Sequence, residues 1–221
     1  MKKLTMAVVA GTLVAAAGGA RAQRLDRMQW FNEPAEWTVR DANTFVMQVP
    51  AKTDYWRITH YGFTVDDAPF CYALYGGEFE ATVKITGDYR TTFDQMGLML
   101  RLDCEEWIKC GVEFVEGRQH VSTVVTHRTS DWSVVGLDAA PRSLWIRAVR
   151  RLDAVEVAYS FDGEHYSTVR TCYLEAHRPV QVGLMAASPD GEGFEAVFEN
   201  FTVRHLPDQR RSEWAAARAR E

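Results

Sequence analysis

The 221-residue chain lacks most of the signatures from which a reaction is usually read. It has no Cys-x-x-Cys pair or His/Cys cluster to hold zinc, no EF-hand loop for calcium, and no Gly-x-Ser-x-Gly elbow to present a nucleophilic serine. The sequence therefore calls for no metal and no cofactor. A basic excess is missing too: 25 Lys and Arg face 30 Asp and Glu, a formal charge of −5. That balance argues against nucleic acid as a partner, because such binding depends on clustered cations facing phosphate. Behind residue 44 no segment of the domain carries a sustained helical period, and no repeat of roughly 20 to 50 residues is visible, which excludes bundles and solenoids.

Cysteine is sparse. The four residues Cys71, Cys104, Cys110 and Cys172 permit disulfides in an oxidising compartment, but their spacing does not demand them. Cys110 and Cys172 stand in apolar runs, so free buried thiols are the expected state.

Residues 1–22 carry a secretory pattern. Lys2 and Lys3 precede the apolar run Met6 to Ala17, and Ala20-Arg21-Ala22 offers a small-x-small cleavage site. The run falls well short of the roughly 20 residues of a membrane span, so none is expected. The mature chain would then begin at Gln23, in the periplasm or outside the cell. Loss of Lys2, Lys3 and Arg21 takes the formal charge from −5 to −8. Translation from Met28 would instead give a cytoplasmic protein of the same fold.

What the chain has in abundance is alternation. In Phe79 to Ile85 the odd positions are apolar and the even ones polar, the mark of a half-buried strand. Similar runs lie in 44–49, 144–150, 155–161, 180–185 and 194–203, with Gly, Pro, Asn and Asp between them. Glu116-Gly117 and Asp162-Gly163 are candidate tight hairpin turns. Many short antiparallel strands predict an all-β fold, a two-sheet sandwich or jelly roll spanning 23–206. The stretch 207–221, rich in Ala, Arg and Glu, predicts a short C-terminal helix or frayed tail.

One face of the predicted hairpin 94–126 concentrates chemistry. Leu98, Leu100 and Leu102, with Ile108, Cys110, Val112 and Phe114, share the core side. Gln95, Gly97, Met99 and Arg101, with Trp107, Lys109, Gly111 and Glu113, share the other. A two-residue turn at Glu116-Gly117 sets Glu113 opposite His120, Gly111 opposite Ser122 and Trp107 opposite Thr126. Arg101 and Lys109 fall close enough to need an acid or a bound anion between them. On the residues alone, the ordinary reading of this face is a solvated sheet surface.

Two further segments stand out. In 127–134, Ser130 and Asp131 suit a turn, and Trp132 projects inward as a plug or outward as a stacking surface. In 53–62, "TDYWRITHYG", an unbroken strand would place Asp54, Trp56, Ile58 and His60 on one side, and neither side is cleanly apolar. The acidic turns 65–69 and 188–193 read as solvated turns.

The ordered blocks "WFNEPAEW", "TDYWRITHYGF", "FDQMGLMLRLD", "WIKCGVEF", "VVTHRTSDWSV", "LWIRAVRR", "SFDGEHY" and "VGLMAASP" resemble, in succession, those of a domain-of-unknown-function family similar to the fungal regulation-of-enolase protein. The resemblance covers Met28 to about His205. It implies a concanavalin A-like jelly roll of two antiparallel sheets, one concave, and it implies no reaction. After "THYGF" the resemblance implies a Gly-His pair and an aromatic residue, where this chain has Ala68-Pro69-Phe70. Its blocks raise the weight of Asp94, Gln95, Trp107, Lys109, Glu113, Ser130, Asp131 and Trp132 without assigning them roles.

The expected function is a non-catalytic module that binds a carbohydrate or other small polar ligand. Trp56, Trp107 and Trp132 are the candidate stacking surfaces, His60 a further contact, and Asp94, Gln95, Lys109 and Glu113 candidate partners for hydroxyls. A glycan hydrolase using Asp94 and Glu113 would need the two carboxyls to flank one cleft about 5 to 9.5 Å apart. A regulatory protein-interaction domain would need an exposed apolar patch of several hundred Å².

Overall fold

The alternating runs pair into two stacked sheets. The computed structural model describes Leu25 and residues 28–219, so the expected signal segment lies outside the described residues. The first sheet, here the cleft sheet, begins in spatial order with β1 (Gln29–Phe31), β6 (Phe70–Tyr75), β15 (Val180–Ala187) and β8 (Gln95–Arg101). It continues through β9 (Glu106–Val115), β10 (Arg118–His127) and the edge strand β11 (Thr129–Gly136). The back sheet runs β14 (Ser167–Tyr173), β13 (Ala154–Ser160), β12 (Leu144–Arg151) and β7 (Phe79–Gly87), then β16 (Glu195–His205), β3 (Thr44–Gln48) and β2 (Trp37–Asp41). A separate hairpin, β4 (Tyr55–Arg57) with β5 (Thr64–Asp66), lies against the outer face of the cleft sheet. Every pairing between these strands is antiparallel.

The main core fills the space between the sheets, built as the two-residue period dictates. Phe79, Ala81, Val83 and Ile85 enter it from β7, and Leu98, Leu100, Ile108, Cys110 and Val112 meet them from β8 and β9. Each such aliphatic or aromatic side chain contributes about 1.5–3 kcal/mol on burial. The hairpin register follows its turn: His120 pairs Glu113, Ser122 pairs Gly111 and Thr126 pairs Trp107. Glu116 and Gly117 both take positive φ (50° and 76°), which matches their twist to that of the strands.

The face opposite the core is not a solvated surface, as its polar residues suggested. A second apolar cluster of Tyr55, Phe70, Met99, Trp107, Val124 and Met185 lies between it and the β4–β5 hairpin. Strand β8 is consequently buried along its whole length. Gly97, Gly111 and Gly183 lie along this sheet. A Cβ on any of them would come within about 2.1 Å of a neighbouring strand's carbonyl oxygen, so close strand contact, not a ligand, demands glycine there.

Two local expectations are corrected. The segment 53–62 is not one strand, because positive φ at Ile58 (65°), His60 (66°) and Gly62 (75°) winds it into a tight tip. Asp162-Gly163 is not a two-residue turn but part of a longer loop joining β13 and β14, where the Asp162 carboxylate accepts the amides of Glu164 and His165 at 2.8 and 2.9 Å. The tail forms a helix, α1 (Gln209–Arg218), fastened by Glu78, which accepts the Gln209 amide at 3.0 Å and pairs with Arg151 at 2.7 Å. The four cysteines are free.

Candidate functional site

The hairpin does not cover the whole outer face. Between its tip, the edge strand β11 and the turns 93–95 and 189–190 the sheet is left open as a cleft of about 930 Å³. Gln95, Lys109, Glu113 and Val124 form its floor. Trp56, Thr59, His60, Tyr61 and Phe63 wall one side; Thr129, Ser130, Asp131 and Trp132 wall the other; Phe93, Pro189 and Asp190 close an end, and Asp54 sits at the hairpin base.

The floor is a bonded polar network. Lys109 Nζ donates to Asp54 Oδ1 at 3.0 Å and to the Tyr55 carbonyl at 2.7 Å. Gln95 Nε2 donates to the Phe93 carbonyl at 3.1 Å and to Asp54 Oδ1 at 3.4 Å, and the Tyr55 amide reaches the same oxygen at 2.7 Å. Glu113, only 5% exposed, accepts the Trp132 indole N–H at 2.7 Å through Oε2. That bond aims the Trp132 ring across the cleft wall, where it meets Phe93 edge-on at 6.4 Å.

The hairpin wall is held by charge as well as by apolar contact. Asp66 forms two parallel 2.7 Å bonds to Arg101, so Asp54 and Asp66 are the acids that the neighbouring Lys109 and Arg101 require. Ser130 Oγ accepts the Arg57 amide at 2.9 Å and bonds Thr126, while Arg57 donates to the Arg128 carbonyl and to Glu105. At the tip, Tyr61 and Phe63 stack at 5.4 Å and stand about half exposed, and Trp56 meets Tyr61 edge-on. Part of the chain's backbone strain lies beside the cleft. Ile58, His60, Phe93 and Arg128 are all non-glycine residues with φ between 64° and 71°, a conformation costing on the order of 1–3 kcal/mol each.

Of the residues singled out from the sequence, Trp56, His60, Gln95, Lys109, Glu113, Ser130, Asp131 and Trp132 all line the cleft. Trp107 and Asp94 do not. Trp107, 1% exposed, packs edge-on against Tyr55 inside the second cluster and offers no stacking surface. Asp94, also 1% exposed, accepts the Arg90 and Thr91 amides at 2.8 Å and the Ser188 hydroxyl at 2.5 Å, a tie between two loops. It stands in the turn just before β8 and, unlike Glu113, does not border the cleft.

The sequence reading left out Asp54, Tyr61, Phe63, Phe93 and Asp190. Asp54 had a usable signal in the need for an acid beside Lys109 and Arg101. The others reach the cleft through turns that strand alternation does not describe. No group of three or more His, Cys, Asp or Glu able to hold a metal ion occurs among the described residues. No helix among them is long and apolar enough to cross a membrane.

Comparison with known proteins agrees with this architecture. The chain is 31% identical over 179 residues to Regulation of enolase protein 1 of Saccharomyces cerevisiae, covering 81% of this chain and 90% of that one. A solved structure of a functionally unknown protein from Saccharomyces cerevisiae superposes with a TM-score of 0.79 at 30% identity, covering 83% of this chain and 99% of the other. A GH43 protein from Bacillus licheniformis shares the fold alone, at a TM-score of 0.63 and 16% identity, covering 79% of this chain and 36% of that one. Residues 30–206 match the family described as protein of unknown function, DUF1349, and the chain belongs to that family.

Proposed function

We propose that the protein is a binding module whose cleft takes a carbohydrate or a similar small polar ligand. The observation that carries this reading is the pairing of aromatic walls with a buried polar floor. Trp56, Tyr61, Phe93 and Trp132 surround Gln95, Lys109 and Glu113, which are each no more than 6% exposed yet border the open cleft. Sugar rings present apolar C–H faces to aromatic side chains, and their hydroxyls need partners already held in place. The bonds that fix Lys109, Gln95 and Trp132 are intramolecular, so ordering these side chains is no cost of binding.

A panel of oligosaccharides tested by thermal shift and calorimetry checks the reading. Saturation at 100 times Kd adds about 2.7 kcal/mol of stability. Trp132→Ala removes one wall and weakens whatever binds. If no oligosaccharide in the panel stabilises the protein, the reading is wrong.

Export belongs to the same proposal, resting on the charged start, apolar run and Ala20-Arg21-Ala22 of residues 1–22. Sequencing the mature N-terminus should return Gln23. A chain beginning at Met28 would place the protein in the cytoplasm.

A further inference from the structure

The cleft is rich in acceptors and poor in donors. Its carboxylates are Asp54, Glu113, Asp131 and Asp190, and its one ammonium is Lys109. Most N–H groups at the floor are already engaged. Trp132 donates to Glu113, Gln95 donates to Phe93 and Asp54, and Lys109 gives two of its three protons to Asp54 and Tyr55. The acceptors are not spent. Glu113 uses Oε2 for Trp132, and no donor among the described residues reaches its Oε1. Asp54 gathers all its donors on Oδ1 and leaves Oδ2 open, and the Asp190 side chain has no partner among the described residues.

Glu113 gives this imbalance its force. Its side chain is 95% buried by the measure of its 5% exposure, it faces the cleft, and it holds an acceptor that water or a ligand must meet. That oxygen opens onto the cleft, where water meets it in the free protein and a donor on the ligand meets it in the complex. A cationic donor meets it best, since hydrogen bonds to charged groups are roughly twice as strong as neutral ones. An anionic ligand would instead meet Glu113 and Asp190, which have no cationic partner among the described residues, while Asp54 is paired with Lys109 and Asp131 with Arg170.

We infer that the ligand of this cleft is an amino sugar with a free, protonated amine, seated with the ammonium toward Glu113 and its ring against Trp132. The inference rests on the carbohydrate reading above and narrows it to one chemical class. The rim hydroxyls of Thr59, Tyr61 and Thr129 donate or accept as the ring hydroxyls require.

Calorimetry with four matched tetrasaccharides tests it on the full mature chain: a glucosamine oligomer, its N-acetylated form, a glucose oligomer and a galacturonate oligomer. The glucosamine oligomer should bind at least about tenfold more tightly than the acetylated and neutral ones, with the gap closing as salt is raised. The galacturonate oligomer should not bind. Glu113→Gln should shrink the advantage of the free amine. Asp190→Asn, at an exposed loop position, should shrink it in the same direction. Equal affinity for amine and acetylated forms, or a preference for galacturonate, overturns this inference and leaves the carbohydrate reading standing. Absence of binding by all four overturns both.

Discussion

Lys109 Nζ lies 3.0 Å from Asp54 Oδ1, with only 5% and 17% of the two side chains exposed, and this pair fastens the hairpin to the cleft sheet. Breaking one member leaves the other charged, buried and unpaired. Lys109→Met should therefore cost about 3–5 kcal/mol in urea denaturation, and Asp54→Asn a comparable amount. Combining the two should recover about 0.5–3 kcal/mol relative to the sum. Strictly additive losses would mean that the pair carries no coupling.

Asp94 serves the loops and not the cleft. Asp94→Ala should lower stability by about 1–3 kcal/mol, since the Arg90 and Thr91 amides and the Ser188 hydroxyl lose their acceptor, while the affinity for a cleft ligand stays as it was. Loss of affinity with unchanged stability would return Asp94 to the list of ligand contacts.

Two glycines separate the demands of strand contact from those of turn conformation. At Gly97 a Cβ would lie 2.1 Å from the Cys110 carbonyl oxygen, so Gly97→Ala should cost more than about 4 kcal/mol or abolish folding. At Gly117 (φ 76°) a Cβ meets open space, and Gly117→Ala should cost only about 1 kcal/mol, from backbone strain. Denaturation midpoints rank the two; similar costs would contradict the close strand contact.

The thiols divide by exposure. Burial pushes Cys71 up to about 12 and Cys172 to about 11, and raises Cys110 further, whereas Cys104 is exposed. At pH 8 a thiol reagent should label Cys104 rapidly in the folded protein, the half-buried Cys172 more slowly, and Cys71 and Cys110 only on unfolding. Mass spectrometry of the labelled protein identifies the sites, and rapid native labelling at Cys71 or Cys110 would contradict their burial.

The Asp162 carboxyl is held well below its ordinary range, first by the His165 amide, then by the His165 ring and the Glu164 amide. A depressed folded-state value gives stability that is present above the unfolded value and is lost as pH falls through the folded one. The stability gap between the parent protein and Asp162→Asn should therefore be widest near neutral pH and narrow from about pH 5 toward pH 2. A gap that widens on acidification would assign the loop's stability elsewhere.

The pairing of β9 with β10 was legible because a single turn pins it. Once Glu116-Gly117 is placed, the period of two fixes every cross-strand partner, down to Glu113 opposite His120. The period says nothing of Asp94, which stands in the turn before β8 and is turned toward the 90–91 and 188 loops by its hydrogen bonds. Trp107 shows the opposite case. Its parity with Lys109 is right, but the side chain that covers it, Tyr55, arrives from a hairpin far away in sequence. That hairpin was itself illegible as such, since Ile58 and His60 turn the chain at residues that favour negative φ. Local bonds such as Ile58 N–H to the Phe63 carbonyl at 2.7 Å close the tip, and the contacts of its flanks with Ser130, Arg101 and Lys109 anchor it.

The β4–β5 hairpin pairs with neither large sheet, and the chain enters and leaves it through the neighbouring positions Asp54 and Asp67, joined by a 2.9 Å hydrogen bond. One wall of the cleft thus stands on a piece of chain that the two large sheets do not include. A longer or shorter tip between Arg57 and Thr64 would resize the cleft while leaving the sandwich ladder untouched, so the width of the opening can vary independently of the sheets beneath it.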